Sequence, residues 1–316
     1  MYHARGACAS ATVKTKLKLR EFLVQVSLSK PNKKSIYFDG NCFLSCSQTS
    51  FLLDASNGLK QTVKIMRRYI IALQFLTILP IPSLKRYEPS ELGRSAAWFP
   101  LVGFSIGAVL LLADTVFSWI FPRALVDALL IALLSLLTGA LHLDGLADVF
   151  DGIASRGDKE KFLDVMKDSR VGAVGVAGLV MIVLLKYAAL LAIPVNLKPE
   201  LLLLFPSLGR FAQVIVMTGA KAVRNDGLGA SFLSGMTTVQ LLIAACCIIP
   251  LSWFLGNIAG LVALCMVSLW ALSVKFYFTR RLSGINGDIV GFSSETAELI
   301  ALLCLTATIT IITRYT

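Results

Sequence analysis

The sequence has little charge and almost no histidine. Asp, Glu, Lys and Arg make up 16% of its 316 residues, where a soluble domain carries about 25%. With 56% hydrophobic residues and a mean hydropathy of +0.75, an ordinary water-soluble surface is excluded. Only two His occur, His3 and His142, which excludes a His-rich metal site or a relay of several imidazoles. The seven Cys show no paired metal-site spacing with His partners. Cys246, Cys247, Cys265 and Cys304 lie in apolar runs and read as small hydrophobes. The apolar runs do not alternate with polar residues, which excludes a transmembrane barrel. No nucleotide P-loop, dinucleotide fingerprint or hydrolase elbow is present. The net charge is +11, but the membrane part has no nucleic-acid-binding module, so no nucleic-acid partner is expected.

What remains is a set of apolar segments at approximately 69–82, 97–121, 125–142, 171–194, 200–218, 239–255, 258–278 and 297–313. Helices are the spanning element such runs allow. The first is short and holds Pro80 and Pro82, so a re-entrant or interfacial helix is expected there. The other seven read as spans. The fold expected is all-α, a polytopic integral membrane bundle in contact with the lipid bilayer.

Residues 1–65 differ in composition. They hold ten Lys/Arg against three acids, are polar, and lack both a clear period and an apolar signal region. Met66 opens MRRYIIALQFLTILP, which reads like the natural start of a membrane protein. The expected division is a basic, disordered or dispensable extension at 1–65 and a membrane-embedded catalytic domain at 66–316. The loops 83–96, 143–170, 219–238 and 279–296 carry twelve Lys/Arg, against three on the opposite connections and C-terminus. The positive-inside rule therefore places these four loops in the cytoplasm of a cell with a plasma (inner) membrane.

Chemistry is concentrated in those loops. In HLDGLADVFDG (142–152), Asp144, Asp148 and Asp151 fall at 0°, about 40° and about −20° around a helix, sharing one face. Carboxylates that close repel one another unless protons or cations intervene, and hard oxygen ligands suit Mg²⁺. The simpler alternative is a solvated acidic helix end. His142 stands beside this face as a general base or as an interfacial residue without a catalytic role. In MKDSRVGAVGV (166–176), Lys167, Asp168 and Arg170 precede a glycine-rich helix start. Cations and free amides at such a start suit a phosphate, although a charged collar would look the same. Arg210 lies inside an apolar run, either facing the protein interior or snorkelling. Lys186 is similarly embedded, which predicts pairing or snorkelling. In GINGDIVGFSSETAE, Gly287 and Asp288 precede Glu295 and Glu298, which are three residues apart. Carboxylates, cations and glycines gathered at one membrane face suit metal-assisted phosphoryl transfer.

These motifs, together with ALQFLTILPIP at 72–82 and the Gly-Arg pair at 209–210, resemble the cobalamin synthase family, the adenosylcobinamide-GDP ribazoletransferases, over approximately residues 66–316. The resemblance implies an enzyme of the phosphorus-group transferase class that joins adenosylcobinamide-GDP to α-ribazole, or to its 5′-phosphate, releasing GMP. It implies Mg²⁺ and a site at the inner membrane face. Applied to this chain, it makes Asp144, Asp148, Asp151 and Asp288 metal ligands, with the three α-helical Asp and His142 as catalytic residues. Lys167, Asp168, Arg170, Arg210, Gly287, Asp288, Glu295 and Glu298 then contact substrate. The competing readings are a CDP-alcohol phosphotransferase-like enzyme, whose motif fails here because Asp148 follows Ala147, and an ion-coupled transporter. The sequence is compatible with either a monomer or a homo-oligomer.

Overall fold

The computed structural model describes residues 46–80, 89–168, 170–223 and 227–315. The chain divides into two compact units, 1–56 and 57–316, and the larger one carries the bundle. Helix α1 covers Cys46–Leu76, α2 Pro89–Ser95, α3 Phe99–Phe117, α4 Arg123–Leu137, α5 Leu141–Ala154 and α6 Lys159–Val165. They are followed by α7 Ala173–Ala192, α8 Lys198–Met217, α9 Gly227–Ser234, α10 Thr238–Leu282 and α11 Gly287–Tyr315. Among the described residues there is no strand, only an isolated bridge between Ala222 and Ile285.

Five helices are long and apolar enough to cross a membrane, or six when α4 and α5 are taken as one span bent by 90°. Helix α10 accounts for the seventh expected crossing. At 45 residues it would extend roughly 67 Å if straight, twice a bilayer core. It is broken at Asn257 (φ 47°, ψ −132°). A Cβ at Gly260 would strike the carbonyl of Ser252, so the chain folds back on itself as a helical hairpin.

The helix expected over 69–82 ends at Leu76, is not among the candidate spans and forms the end of a longer helix. Helix α1 is continuous for 31 residues from Cys46, so the part of the expected extension at 46–65 is helical. Apart from Gly58 that stretch holds no helix breaker, and it propagates as one helix with the apolar segment, where elongation needs no new nucleus. Ile71, Ala72 and Leu76 at its end are buried. Residues 1–45, and Pro82 of the expected element, lie outside the described residues.

Helix α8 is the central element. Seventeen of its 20 residues are buried, and α3, α10 and α11 pack around it. Helix α3 reaches it through Gly103 and Gly107, a small-xxx-small pair. A Cβ at Gly103 would sit 2.5 Å from the carbonyl of Pro206, and one at Gly107 would strike that of Leu202. Large apolar residues such as Leu112, Leu184, Leu242 and Phe254 point outward, as lipid-facing positions do.

At one end of the bundle a buried ion cluster joins three helices. Arg123 Nη2 lies 2.6 Å from Asp114 Oδ1 and also pairs with Asp127, whose other oxygen is 2.5 Å from Lys198 Nζ. The cluster ties the end of α3 to the starts of α4 and α8. At the opposite end the chain leaves α4 through Gly139 (φ 60°) and Ala140 (φ 55°), both left-handed. The 90° turn this permits lays α5 off the spans. With 14 residues, about 21 Å, α5 is too short to cross a bilayer by itself.

Candidate active site

Helix α5 buries Leu146, Ala147 and Val149 and leaves Asp144 exposed and Asp148 and Asp151 half-buried. Its acids therefore line one wet edge, as their spacing requires. Two glycine contacts set it against α11. A Cβ at Gly145 would lie 2.8 Å from the Cα and carbonyl oxygen of Asp288, and one at Gly291 would lie 3.1 Å from the Cα of His142. Backbone thus meets backbone, and Asp288 is carried to the acidic edge of α5.

The loop before α11 is fixed independently. Ile285 N–H donates to Lys221 O at 2.8 Å and Val223 N–H to Ile285 O at 3.0 Å. Asn286 Oδ1 then accepts from Ile289 N–H at 3.1 Å, capping α11, while its Nδ2 donates to Asp288 Oδ2 at 2.8 Å. Sequence reasoning missed Asn286, although an Asn just ahead of a helix is a recognisable cap signal.

The charges of the other three carboxylates are felt at Asp148. The Asp148 carboxyl is pushed up to about 6, first by burial and then by the charges of Asp144, Asp288 and Asp151. Among the described residues, however, no three His, Cys, Asp or Glu side chains converge to enclose a metal ion. Mg²⁺ does not require such a cage. It keeps several waters and is bound through one or two carboxylates plus substrate phosphates. The residues fit an ion shared with a phosphorylated substrate rather than a closed protein site.

Asp151 has a second task. Its Oδ2 accepts from Gly172 N–H and its Oδ1 from Gly175 N–H, both at 2.7 Å. The amides at the start of α7, expected to be free for a phosphate, are taken by this carboxylate. Side chains at 172 or 175 would strike it, which accounts for the two glycines. Just ahead of them, Arg170 is 87% exposed and grips Asp168 at 2.7 Å. This contact holds the Asp168 carboxyl down at about 2. Lys167 is exposed too, 3.8 Å from Asp164.

Arg210, Glu295 and Glu298 do not join the α5 carboxylates. Arg210 is fully buried, with Nη1 2.7 Å from Glu298 Oε1 and a short hydrogen bond to Ser294. Lys186 Nζ lies 2.6 Å from both Glu295 Oε2 and Glu298 Oε2. Two cations and two carboxylates thus neutralise each other between α7, α8 and α11. The substrate contacts expected of these three residues left this pairing out: charges at that depth need partners, and they find them in one another, while Arg210 Nε and Nη2 keep no hydrogen-bond partner among the described residues. The network also settles Lys186 as paired. One turn along α8 from Arg210, Gln213 Nε2 lies 2.9 Å from His142 Nε2.

A cavity of about 180 Å³ opens beside this pair and reaches Gly287 and Asp288. Its walls include Phe75 and Phe232, whose ring centroids are 4.2 Å apart. Neither aromatic residue stood out in the sequence, since only the fold brings them together.

A family profile described as cobalamin-5-phosphate synthase matches residues 68–306. The chain is 48% identical over 243 residues to a protein of Geotalea daltonii (strain DSM 22248 / JCM 15807 / FRC-32) named adenosylcobinamide-GDP ribazoletransferase, covering 77% of this chain and 98% of that one. Proteins of the same name from Thermoanaerobacter sp. (strain X514) and Pseudomonas syringae pv. syringae (strain B728a) are 39% and 38% identical. These matches cover 76% of this chain in each case, and 96% and 99% of the relatives. No solved structure matches the chain. Matched across most of its length, and carrying its polar motifs at one end of a helical bundle, the chain belongs to the cobalamin-5-phosphate synthase family.

Proposed function

We propose that this protein is an adenosylcobinamide-GDP ribazoletransferase, a membrane transferase of phosphorus-containing groups that completes cobalamin synthesis. It would join adenosylcobinamide-GDP to α-ribazole, or to α-ribazole 5′-phosphate, and release GMP. Family membership favours this reading over a CDP-alcohol phosphotransferase or a transporter. The observation that carries the chemistry is the gathering of Asp144, Asp148, Asp151 and Asp288, where burial first and the neighbouring charges second raise Asp148.

In this reading a ribazole hydroxyl oxygen forms a bond to the phosphorus on the cobinamide arm, and the bond from that phosphorus to GMP breaks. Asp144, Asp148 and Asp288 would hold Mg²⁺, with Asp151 adding negative charge from the α7 cap. Bound Mg²⁺ would neutralise the pyrophosphate and assist the leaving group. The hydroxyl proton passes to a carboxylate of this face, because His142 Nε2 is already engaged by Gln213. Arg170 and Lys167, exposed beside the cap of α7, supply positive charge for the incoming anion.

The acidic face is assigned to the cytoplasmic side of the inner membrane, where the twelve loop cations lie. Membranes carrying the protein, given adenosylcobinamide-GDP, α-ribazole and Mg²⁺, should release GMP and form cobalamin. Folded protein without turnover would overturn the reading.

A further inference from the structure

The cavity between α1, α5, α8 and α9 has a composition the phosphoryl chemistry does not require. Its walls are apolar, with Phe75, Met217 and Phe232 among them, and its polar features are confined to one patch and the rim. The patch is the His142–Gln213 pair, 3% and 1% exposed. The Gln213 amide nitrogen can only donate, so His142 Nε2 accepts and a neutral ring carries its proton on Nδ1. That Nδ1 and Gln213 Oε1 are both buried without a hydrogen-bond partner. The two polar side chains that line this apolar slot therefore keep one unused donor and one unused acceptor between them. Buried polar groups are rarely left so, and a ligand or water is the usual complement.

We propose that this cavity is the subsite for the aromatic base of the ribazole nucleoside, with His142 and Gln213 as its specificity-determining residues. The proposal rests on the functional reading above. A base joined to ribose through one ring nitrogen keeps a lone pair on the other, which accepts from His142 Nδ1–H. Gln213 holds the His142 ring in the tautomer that donates from Nδ1. Phe75 and Phe232 provide aromatic surface for the ring system. Size agrees with a base rather than a whole nucleoside: apolar cavities of roughly 150 Å³ take benzene, and this one is about 180 Å³. The ribose then has to project past Gly287 and Asp288 at the rim, which delivers its hydroxyl to the carboxylate face.

The test is steady-state kinetics of the full chain in detergent, varying each substrate in turn. For Gln213→Leu the KM for α-ribazole should rise roughly tenfold, the scale of one lost buried hydrogen bond. The KM for adenosylcobinamide-GDP and kcat should stay within about twofold, a split that a general loss of structure would not give. Phe232→Ala should move the same KM in the same direction, and Phe232→Leu serves if Gln213→Leu does not fold. An unchanged KM for α-ribazole, or a rise confined to adenosylcobinamide-GDP, overturns the subsite and leaves the function standing. Binding of α-ribazole alone, followed by protein fluorescence, separates the other failure. Saturable binding weakened by Phe232→Ala, without turnover in the unaltered protein, would support the subsite and overturn the function.

Discussion

Gly145 and Asp288 meet backbone against backbone: a Cβ on the glycine would lie 2.8 Å from both the Cα and the carbonyl oxygen of the aspartate. This contact holds the α11 carboxylate beside the three on α5. Gly145→Ala forces the helices apart, and a displacement near 1 Å lowers such a reaction about 100-fold. GMP release should fall by that order while the protein still folds, as judged by its melting curve.

Asp151 caps α7 through two amides. Asp151→Ala should destabilise the protein by about 1–2 kcal/mol, the upper range for a helix cap. Hydrogen exchange would show the loss locally, with faster exchange at Gly172 and Gly175 than elsewhere in α7. Unchanged protection there would contradict the capping role.

Lys186 holds two buried glutamates at 2.6 Å. Lys186→Met leaves Arg210 as the one cation against two carboxylates, and removing one partner of a buried pair costs about 3–5 kcal/mol. Adding Glu295→Gln should recover much of that loss, because less unpaired charge remains. Unfolding in detergent measures both, and a double variant no better than the single one would refute the network.

In the proposed site, protons and Mg²⁺ would compete at Asp148. With its carboxyl raised to about 6, the Mg²⁺ concentration for half-maximal activity should climb as pH falls through 6 and level off above about 7. Asp148→Asn should lose both this dependence and most of the activity. The sign for folding is the reverse. A raised carboxyl stabilises the metal-free protein below its unfolded pKa of about 4, and that contribution is lost as pH rises through 6. Melting without Mg²⁺ should therefore soften between those values, and Mg²⁺ should restore it at neutral pH.

The sequence disclosed what depends on local pattern. Apolar length marked the spans, a two-residue link at 256–257 marked the tip that the structure breaks at Asn257, and helical spacing marked the acidic edge of α5. Partners far apart in the chain were not legible. Lys186 and Glu298 are separated by 112 positions, and nothing local distinguishes a paired lysine from a snorkelling one. The Arg210–Glu298 pair was hidden for the same reason: being out of place in an apolar run shows that a charge needs a partner, not which one. Gln213 and Phe232 became visible only when α8 and α9 met α5 and α1 around a cavity.

The ion cluster of Asp114, Arg123, Asp127 and Lys198 has a mechanical consequence. It pins α3, α4 and α8 at the end remote from the carboxylates. The carboxylate end relies instead on glycine contacts and capped helix starts. The two ends are therefore restrained differently, by paired charge at one and by close backbone packing of α5 on α11 at the other.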